Sequence, residues 1–450
     1  MYGVDSADLT TAAYLLGISH PPGAPAYLLL GHLFTWLPFG DVGYRVNLYS
    51  AVAGALACFF VYRVVMRLGG DAWLALATSW LVASSYYVWT ASVAAEVYAP
   101  QACLFAALVA VALRWRTAPT APLLCLLCFL AGLGLGIHLS LVLALPGLAV
   151  IALPPPPFRP SPRLLLAGVL CGLLGAAVYA YLPLRYLSDL PLNPARDYWH
   201  VDLTTAQGLW WMISGEGFRS RFAGDWPPAL SARCANFAYL LWSNFLGLPV
   251  LLGLLGIAAE LRQRPRIHLG LLLILFGNLV FYLAYGAGDR QTMIVPAYLV
   301  WGIWIGFGAR AAARAIAAGL GLGDAPLLAP AVLGCVVALL VLVNYRFIDA
   351  SHDRSARERG DAILSGLDTN AVFVGAWSDL RLVEYFQHVE GVRRDIQPDD
   401  TFFVPDAERK RRIAAALQTG RPVYVTACRD LPAGNLRCDY QPDCQCYRLR

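Results

Sequence analysis

Asp5 and Asp8 stand three residues apart in the run Val4-Asp5-Ser6-Ala7-Asp8-Leu9. On a helical turn that spacing points both carboxylates to one side. There an acid can take a proton from a hydroxyl or, with partners, hold a divalent cation. The plainer reading is that Asp5 caps a helix running from about Asp8 to Leu16. Next comes His20-Pro21-Pro22-Gly23-Ala24-Pro25, a turn in which three prolines fix φ and remove backbone donors. It would hold His20 between two amphipathic segments, as a structural or as a working histidine. Further along, Glu96 sits in Ala95-Glu96-Val97-Tyr98, and His138 follows the small-residue run Gly132-Leu133-Gly134-Leu135-Gly136, where helices can approach closely. Asp289 and Arg290 precede Gln291 and Pro296, as part of a site or as an ion pair.

The stretch 187–234 contains Asp189, Asp197, Trp199, His200, Asp202, Trp210, Trp211, Glu216, Arg219 and Arg221. Tryptophans beside carboxylates suit a carbohydrate, because an aromatic face stacks on a sugar ring while acids bind its hydroxyls. They equally suit an amphipathic helix at a membrane interface. Arg185, Arg219 and Arg221 can hold a phosphate through forked, charge-assisted hydrogen bonds.

The elements that position these residues are membrane spans. The 450 residues are 58% hydrophobic and 14% charged, with a mean hydropathy of +0.56, against about 25% charge in ordinary globular domains. The net charge of +5 is carried by arginines at the ends of apolar stretches, which fits topology and not nucleic acid. Apolar stretches able to cross about 30 Å of hydrocarbon lie near residues 46–66, 72–90, 99–113, 121–137, 139–153, 164–186, 235–260, 268–286, 294–309 and 326–345. Every second connection is basic: Arg63 and Arg67, Arg114 and Arg116, Arg159 and Arg163, Arg262 to Arg266, Arg310 and Arg314. By the positive-inside rule these loops are cytoplasmic. Residues 1–45, the Glu96 turn, the 187–234 loop, the Gly286–Arg290 turn and the C-terminus are then expected outside. Because the first residues would already be extracytoplasmic, a first helix preceding Met1 is expected.

After Asn344 the chain turns polar. Helices are predicted over 353–366, 380–389 and 407–417, and strands over 371–375 and 422–426, giving a small α/β domain at 348–450 behind a membrane domain at 1–347. Seven of the eleven cysteines lie in or beside apolar spans and read as packing, whereas Cys428, Cys438, Cys444 and Cys446 crowd the tail. Outside the cytosol they would form disulfides; inside it, a metal site competes.

The run Asp5-Ser6-Ala7-Asp8-Leu9 to Ala13-Tyr14, then Leu16-Gly17-Ile18-Ser19-His20-Pro21-Pro22-Gly23, Pro38-Phe39-Gly40 and Tyr44-Arg45-Val46-Asn47-Leu48 resembles the membrane-protein family that includes the eukaryotic transmembrane O-mannosyltransferase of plexin-type domains. That family looks like a branch of the GT-C glycosyltransferases. Glu96-Val97-Tyr98, Gly132–His138, Tyr181-Leu182-Pro183-Leu184-Arg185, Gly217–Phe222, Asp289–Pro296 and Gln387–Gly391 extend the resemblance over nearly the whole chain. The family usually has Asp-Ser-Gly-Glu where this chain has Asp5-Ser6-Ala7-Asp8, so the second acid is kept but shortened by one methylene. It also has a transmembrane helix just before this motif.

The resemblance implies transfer of a mannose-like sugar from a polyprenyl-phosphate carrier to a protein or glycan hydroxyl on the outer face of a membrane, and the Arg-rich, Lys-poor composition suggests a bacterial source and hence the inner (plasma) membrane. The resemblance also points to Asp5 or Asp8 as the acidic residue of the first outer loop. Mechanistically, Asp5 is the general base, with Asp8 and Glu96 in support, and inversion follows from a single displacement. Arg45, Arg185, Arg219 and Arg221 are candidates for the lipid phosphate, and His20, His138 and Asp289 for other substrate contacts. No cofactor is required, although the acids could hold a divalent cation. The competing class, a transporter or lipid-linked glycan flippase, would need ionisable groups near mid-membrane, and the spans are almost free of them.

Overall fold

In the computed structural model, residues 5–222, 226–321, 325–428, 431 and 436–450 are described. Two short helices, α1 (Ser6–Leu15) and α2 (Pro25–Thr35), open the chain and pack on each other around the proline turn. The first long helix, α3 (Val42–Arg67), is capped by the Asp41 carboxylate on the amide of Tyr44. Helices α4 (Ala72–Ser84) and α5 (Tyr86–Val93) break the predicted 72–90 span in two at Ser85, whose backbone is extended. The break is held from outside: Asn244 accepts from the Tyr87 amide at 2.9 Å, and Asn344 donates to the Ser84 carbonyl at 2.9 Å. Helices α6 (Tyr98–Thr117), α7 (Ala121–Leu135), α8 (Leu145–Ala152) and α9 (Pro162–Ala176) follow, with a 3₁₀ turn over Leu139–Ala144 between α7 and α8. The small residues predicted to allow close approach do so: a Cβ on Gly132 of α7 would collide with the Gly172 carbonyl of α9.

Among the described residues, five helical stretches are each long and apolar enough to cross a membrane, namely Val42–Arg67, Tyr98–Thr117, Pro162–Tyr186, Pro265–Ala284 and Leu328–Ile348. The chain is thus a multi-pass α-helical membrane protein, although the ten spans read from hydropathy are not all single helices of that length. The predicted 235–260 span is two helices, α10 (Trp226–Asn244) and α11 (Pro249–Gln263), and Leu230–Asn244 meets α11 at a bend of 103°. Leu246 and Gly247 turn the chain there, with φ of 55° and 86°. Helix α12 (Pro265–Ala284) precedes α13 (Val295–Gly319), which lies at the centre of the bundle with Val295 through Ala309 all buried. Helix α14 (Leu328–Ile348) is largely exposed, as a lipid-facing helix must be.

The arginine-rich connections gather at one end of the bundle. Arg264 and Arg310 both pair with the buried Glu260, at 2.7 and 2.8 Å, and Arg310 also donates to the Gly69 carbonyl.

The C-terminal α/β domain contains α15 (Ser355–Gly366), β1 (Val372–Val374), α16 (Trp377–Tyr385), β2 (Gln397–Pro398), α17 (Asp406–Gln418), β3 (Val423–Val425), β4 (Cys438–Gln441) and β5 (Cys446–Leu449). The predicted helices and the strands β1 and β3 are present; the sequence reading missed β2, β4 and β5, too short or too polar to show the alternation of a strand. The sheet order is β2-β1-β3-β5-β4, with β2 and β3 parallel to β1 and β5 antiparallel to β3 and β4. The tail cysteines form two disulfides, Cys428–Cys438 and Cys444–Cys446.

Candidate active site

The Asp5 side chain does not cap α1, although Asp5 occupies the N-cap position. Its carboxylate turns outward and accepts the indole N–H of Trp377 at 2.8 Å, while its other oxygen lies 3.7 Å from Nε2 of His20. One turn later Asp8 is held from the opposite side of the same imidazole. Its Oδ2 accepts from the His20 amide at 3.1 Å and lies 2.7 Å from His20 Nδ1. The three-residue spacing therefore does bring both carboxylates to one group, and that group is a histidine.

Local sequence explains why His20 can be gripped this way. Helix α1 ends at Leu16 in the left-handed region, with the Gly17 amide closing on Ala12. The proline turn closes by a 2.8 Å hydrogen bond from Gly23 to His20. Gly23 has φ of 84°, and a Cβ there would come within 2.9 Å of Leu182, so this position requires glycine.

The two acids then diverge. Asp8 is 4% exposed, and its Oδ1 faces the fully buried guanidinium of Arg381 at 3.7 Å. Arg381, on α16, also pairs with Glu384 at 2.6 Å and closely with Asp400. Asp8 is thus fully engaged and does not line the adjoining cavity, whereas Asp5 does. That cavity, about 700 Å³, is lined among others by Asp5, His20, Glu96, Tyr98, His138, Arg221, Asp289 and Trp377. It brings together residues from the first loop, the Glu96 turn, the α7 terminus, the Glu216–Arg221 turn, the α12–α13 connection and the C-terminal domain.

The protonation states follow from surroundings. Burial would lower the His20 pKa, but the charge of Asp5 and the hydrogen bond and charge of Asp8 raise it to about 9, so the ring is cationic at neutral pH. Burial would raise that of Asp8, but His20 and Arg381 hold it below its ordinary value. Burial, then the charges of Asp5 and Asp289, push Glu96 well above the carboxylate range. Burial and the charge of His20 lower His138 to about 4. Its Nδ1 lies 2.7 Å from the Ser140 hydroxyl, which also accepts from Gln101 at 2.6 Å. The two imidazoles of the cavity are therefore held in opposite states, His20 cationic and His138 neutral, with Glu96 favoured in its protonated form beside them.

Other predicted residues fall elsewhere. Arg45 donates to the carbonyls of Phe39, Thr35 and Gly40 at 2.8 to 2.9 Å, which makes it a clasp on the α2–α3 connection and not a cavity group. Arg185 likewise donates to Leu16 at 2.5 Å and to Leu15, binding the end of α1. Arg219 is exposed and outside the cavity lining, while Arg221, on the same turn, lies on its wall with its guanidinium 5.9 Å from the Phe218 ring centre. Among the described residues Asp289 does not pair with Arg290; it accepts the Tyr98 hydroxyl at 3.0 Å, and Arg290 donates to the Tyr285 carbonyl. Trp199 and Trp211 are packing groups against Phe403, and the Trp199 N–H donates to Asp400 at 3.2 Å, whereas Trp210 between them is exposed. Among the described residues no three His, Cys, Asp or Glu side chains converge as metal ligands. Sequence reasoning missed Trp377, Arg381 and Phe402, whose only local signal is an aromatic and a cation near the start of a polar helix.

Comparison with known proteins shows what the chain resembles. Residues 5–154, which contain Asp5, Asp8, His20, Glu96 and His138, match the family described as the protein O-mannosyl-transferase TMEM260 N-terminal domain. The chain is 38% identical over 120 residues to the mouse (Mus musculus) protein O-mannosyl-transferase TMEM260, and 26% identical over 99 residues to its Dictyostelium discoideum counterpart. These matches cover 26% and 21% of this chain and only 17% and 12% of those relatives. The fold extends further. ArnT from Cupriavidus metallidurans, solved with undecaprenyl phosphate, superimposes with a TM-score of 0.58 over 100% of this chain and 94% of its own, at 12% identity. The apo oligosaccharyltransferase of Archaeoglobus fulgidus gives 0.50 over 93% of this chain and 64% of its own, at 13% identity. Residues 5–154 thus match the TMEM260 N-terminal domain, and the chain as a whole has the fold of the GT-C membrane glycosyltransferases.

Proposed function

We propose that this protein transfers a sugar from a polyprenyl-phosphate carrier to an acceptor hydroxyl, with Asp5 as general base. The observation that carries this reading is the Asp5 carboxylate: oriented by Trp377 at 2.8 Å, flanked by a cationic His20, and open to a cavity large enough for a sugar. Asp5 takes the acceptor proton as the acceptor oxygen forms a bond to the anomeric carbon. The bond from that carbon to the phosphate oxygen breaks, and its electron pair leaves with the lipid phosphate. Arg221 on the cavity wall supports the developing negative charge. The single displacement inverts the anomeric centre. Glu96, favoured in its protonated form, and the Tyr98–Asp289 pair are suited to the sugar hydroxyls.

Support for the particular substrates comes from the relatives. The names of the mouse and Dictyostelium proteins favour mannose and a protein acceptor, and the undecaprenyl phosphate in ArnT favours a polyprenyl carrier. We read the arginine-rich end as cytoplasmic and the cavity, with the C-terminal domain, as extracytoplasmic. The test is transfer by purified full-length protein from polyprenyl-phosphate mannose and other polyprenyl-phosphate sugars to a hydroxyl-bearing peptide. Transfer that survives Asp5→Asn at the wild-type rate refutes the assignment of the base.

A further inference from the structure

The acid–histidine pair of the first loop is completed by a residue from the far end of the chain. Trp377 begins helix α16 of the C-terminal domain, 372 positions from Asp5 in sequence, and its N–H donates to the Asp5 carboxylate. Its indole stands edge-on to the His20 ring, with ring centres 5.5 Å apart and planes at 90°. The indole is itself fixed. The Arg381 guanidinium lies 4.2 Å from its ring centre, and Phe402 and Phe403 pack on it at 5.2 and 6.1 Å. Arg381 is in turn fully buried between Glu384, Asp400 and Asp8. One helical turn of the C-terminal domain therefore holds both first-loop acids, Asp5 through Trp377 and Asp8 through Arg381.

We infer that Trp377 is a positioning residue of the active site, holding Asp5 against His20 so that the C-terminal domain is a structural part of the catalytic centre and not an appendage to the membrane domain. The inference concerns geometry, and its consequence for turnover rests on the transferase reading above. A carboxylate at the N-cap of a short helix would otherwise swing back to cap the free amides of the first turn. The indole N–H competes with that conformation and keeps the carboxylate facing the cavity. The anchoring donor thus comes from a separate fold element, and an undocked domain would leave Asp5 free to turn away.

The test uses Trp377→Phe, which keeps the aromatic packing and removes the donor, and Phe403→Leu, which loosens the same stack without touching Asp5 and does not line the cavity. The first readout needs no substrate. The full-length protein in nanodiscs, labelled with ¹⁵N-histidine, is titrated by NMR, with the His20 signal assigned through His20→Gln. His20 faces Asp5, Asp8 and Arg381, with His138 close enough to feel its charge. Loss of Asp5 from this group is expected to bring the His20 midpoint down by about one pH unit in Trp377→Phe and to leave it unchanged in Phe403→Leu. An unchanged midpoint in Trp377→Phe, or equal shifts in both variants, overturns the inference whether or not the protein proves to be a transferase. The second readout is turnover. With wild-type transfer established, Trp377→Phe is expected to lower kcat about tenfold with little change in the donor KM. Equal losses in both variants mean that Trp377 only packs. Absence of transfer by the wild type refutes the functional reading and leaves the titration to decide the role of Trp377.

Discussion

Two clusters of buried charge mark the opposite ends of this bundle, and they are built differently. At the arginine-rich end, Glu260 accepts Arg264 and Arg310, and His268 lies 3.4 Å from it with its other nitrogen taking the Trp304 N–H at 3.0 Å. Both carboxylate oxygens are occupied by cations, Arg264 at the end of the same helix and Arg310 from α13, and none of these groups lines the large cavity at the other end. At that other end Asp8 is used in the same way, locked between His20 and Arg381, but Asp5, held by Trp377 and beside His20, lines that cavity. The difference is that one cluster is closed by its own partners, whereas the other leaves one of its acids on a cavity wall. Glu260 joins helices; Asp5 borders an open cavity.

Substitution at the two carboxylates breaks this comparison most sharply. Asp5→Asn is expected to reduce transfer by about a hundredfold or more, the usual contribution of a general base, with a melting temperature close to wild type. Glu260→Gln should do the reverse. Removing the buried carboxylate that two partly exposed guanidiniums share costs on the order of 2 kcal/mol, so the melting temperature falls while the residual folded protein keeps its donor KM. If Glu260→Gln abolishes turnover in folded protein, the two ends are not functionally distinct.

The pH dependence sharpens it further. The His20 pKa is raised in the folded state from 6.5 to about 9. The stability it contributes is therefore fully present below pH 6.5 and lost as pH rises through 9, up to about 3 kcal/mol in all. Thermal melts from pH 6 to pH 10 should show a decline over that window that His20→Gln flattens. A decline unchanged in the variant assigns the effect elsewhere. The smallest effect concerns the arginines. Arg221→Gln is expected to raise the donor KM about tenfold. Arg45→Gln and Arg185→Gln, which remove only clasps on backbone carbonyls, should lower the melting temperature by a few degrees and leave that KM as it is, measured side by side in one transfer assay.

Much of the site was already visible as residue types in sequence. Asp5, His20, Glu96, His138, Arg221 and Asp289 all line one cavity, because polar groups at the ends of apolar spans on one side of a bundle have few other places to gather. The three-residue spacing of Asp5 and Asp8 likewise announced a shared face. Arg45 and Arg185 looked equally suitable for phosphate, and nothing local could tell them from Arg221. Their guanidiniums are spent on carbonyls that a turn and a helix end leave unpaired, and only the folded backbone shows those carbonyls. The breaks at Ser85 and Leu246 were hidden for a related reason, since hydropathy sums over a window and is blind to a turn inside it.

The sequence by itself determined the solvent in which this chain folds, the alternation of its basic loops, and the resemblance of its first loop to the O-mannosyl-transferase family. These are properties of residue type and spacing along the chain. Only the tertiary structure decided which of two neighbouring acids is locked and which is open, and that the open one is oriented by Trp377 from the C-terminal domain. A carboxylate's role depends on the charge, donors and empty space around it, and here those neighbours lie from 12 to 372 residues away in the chain.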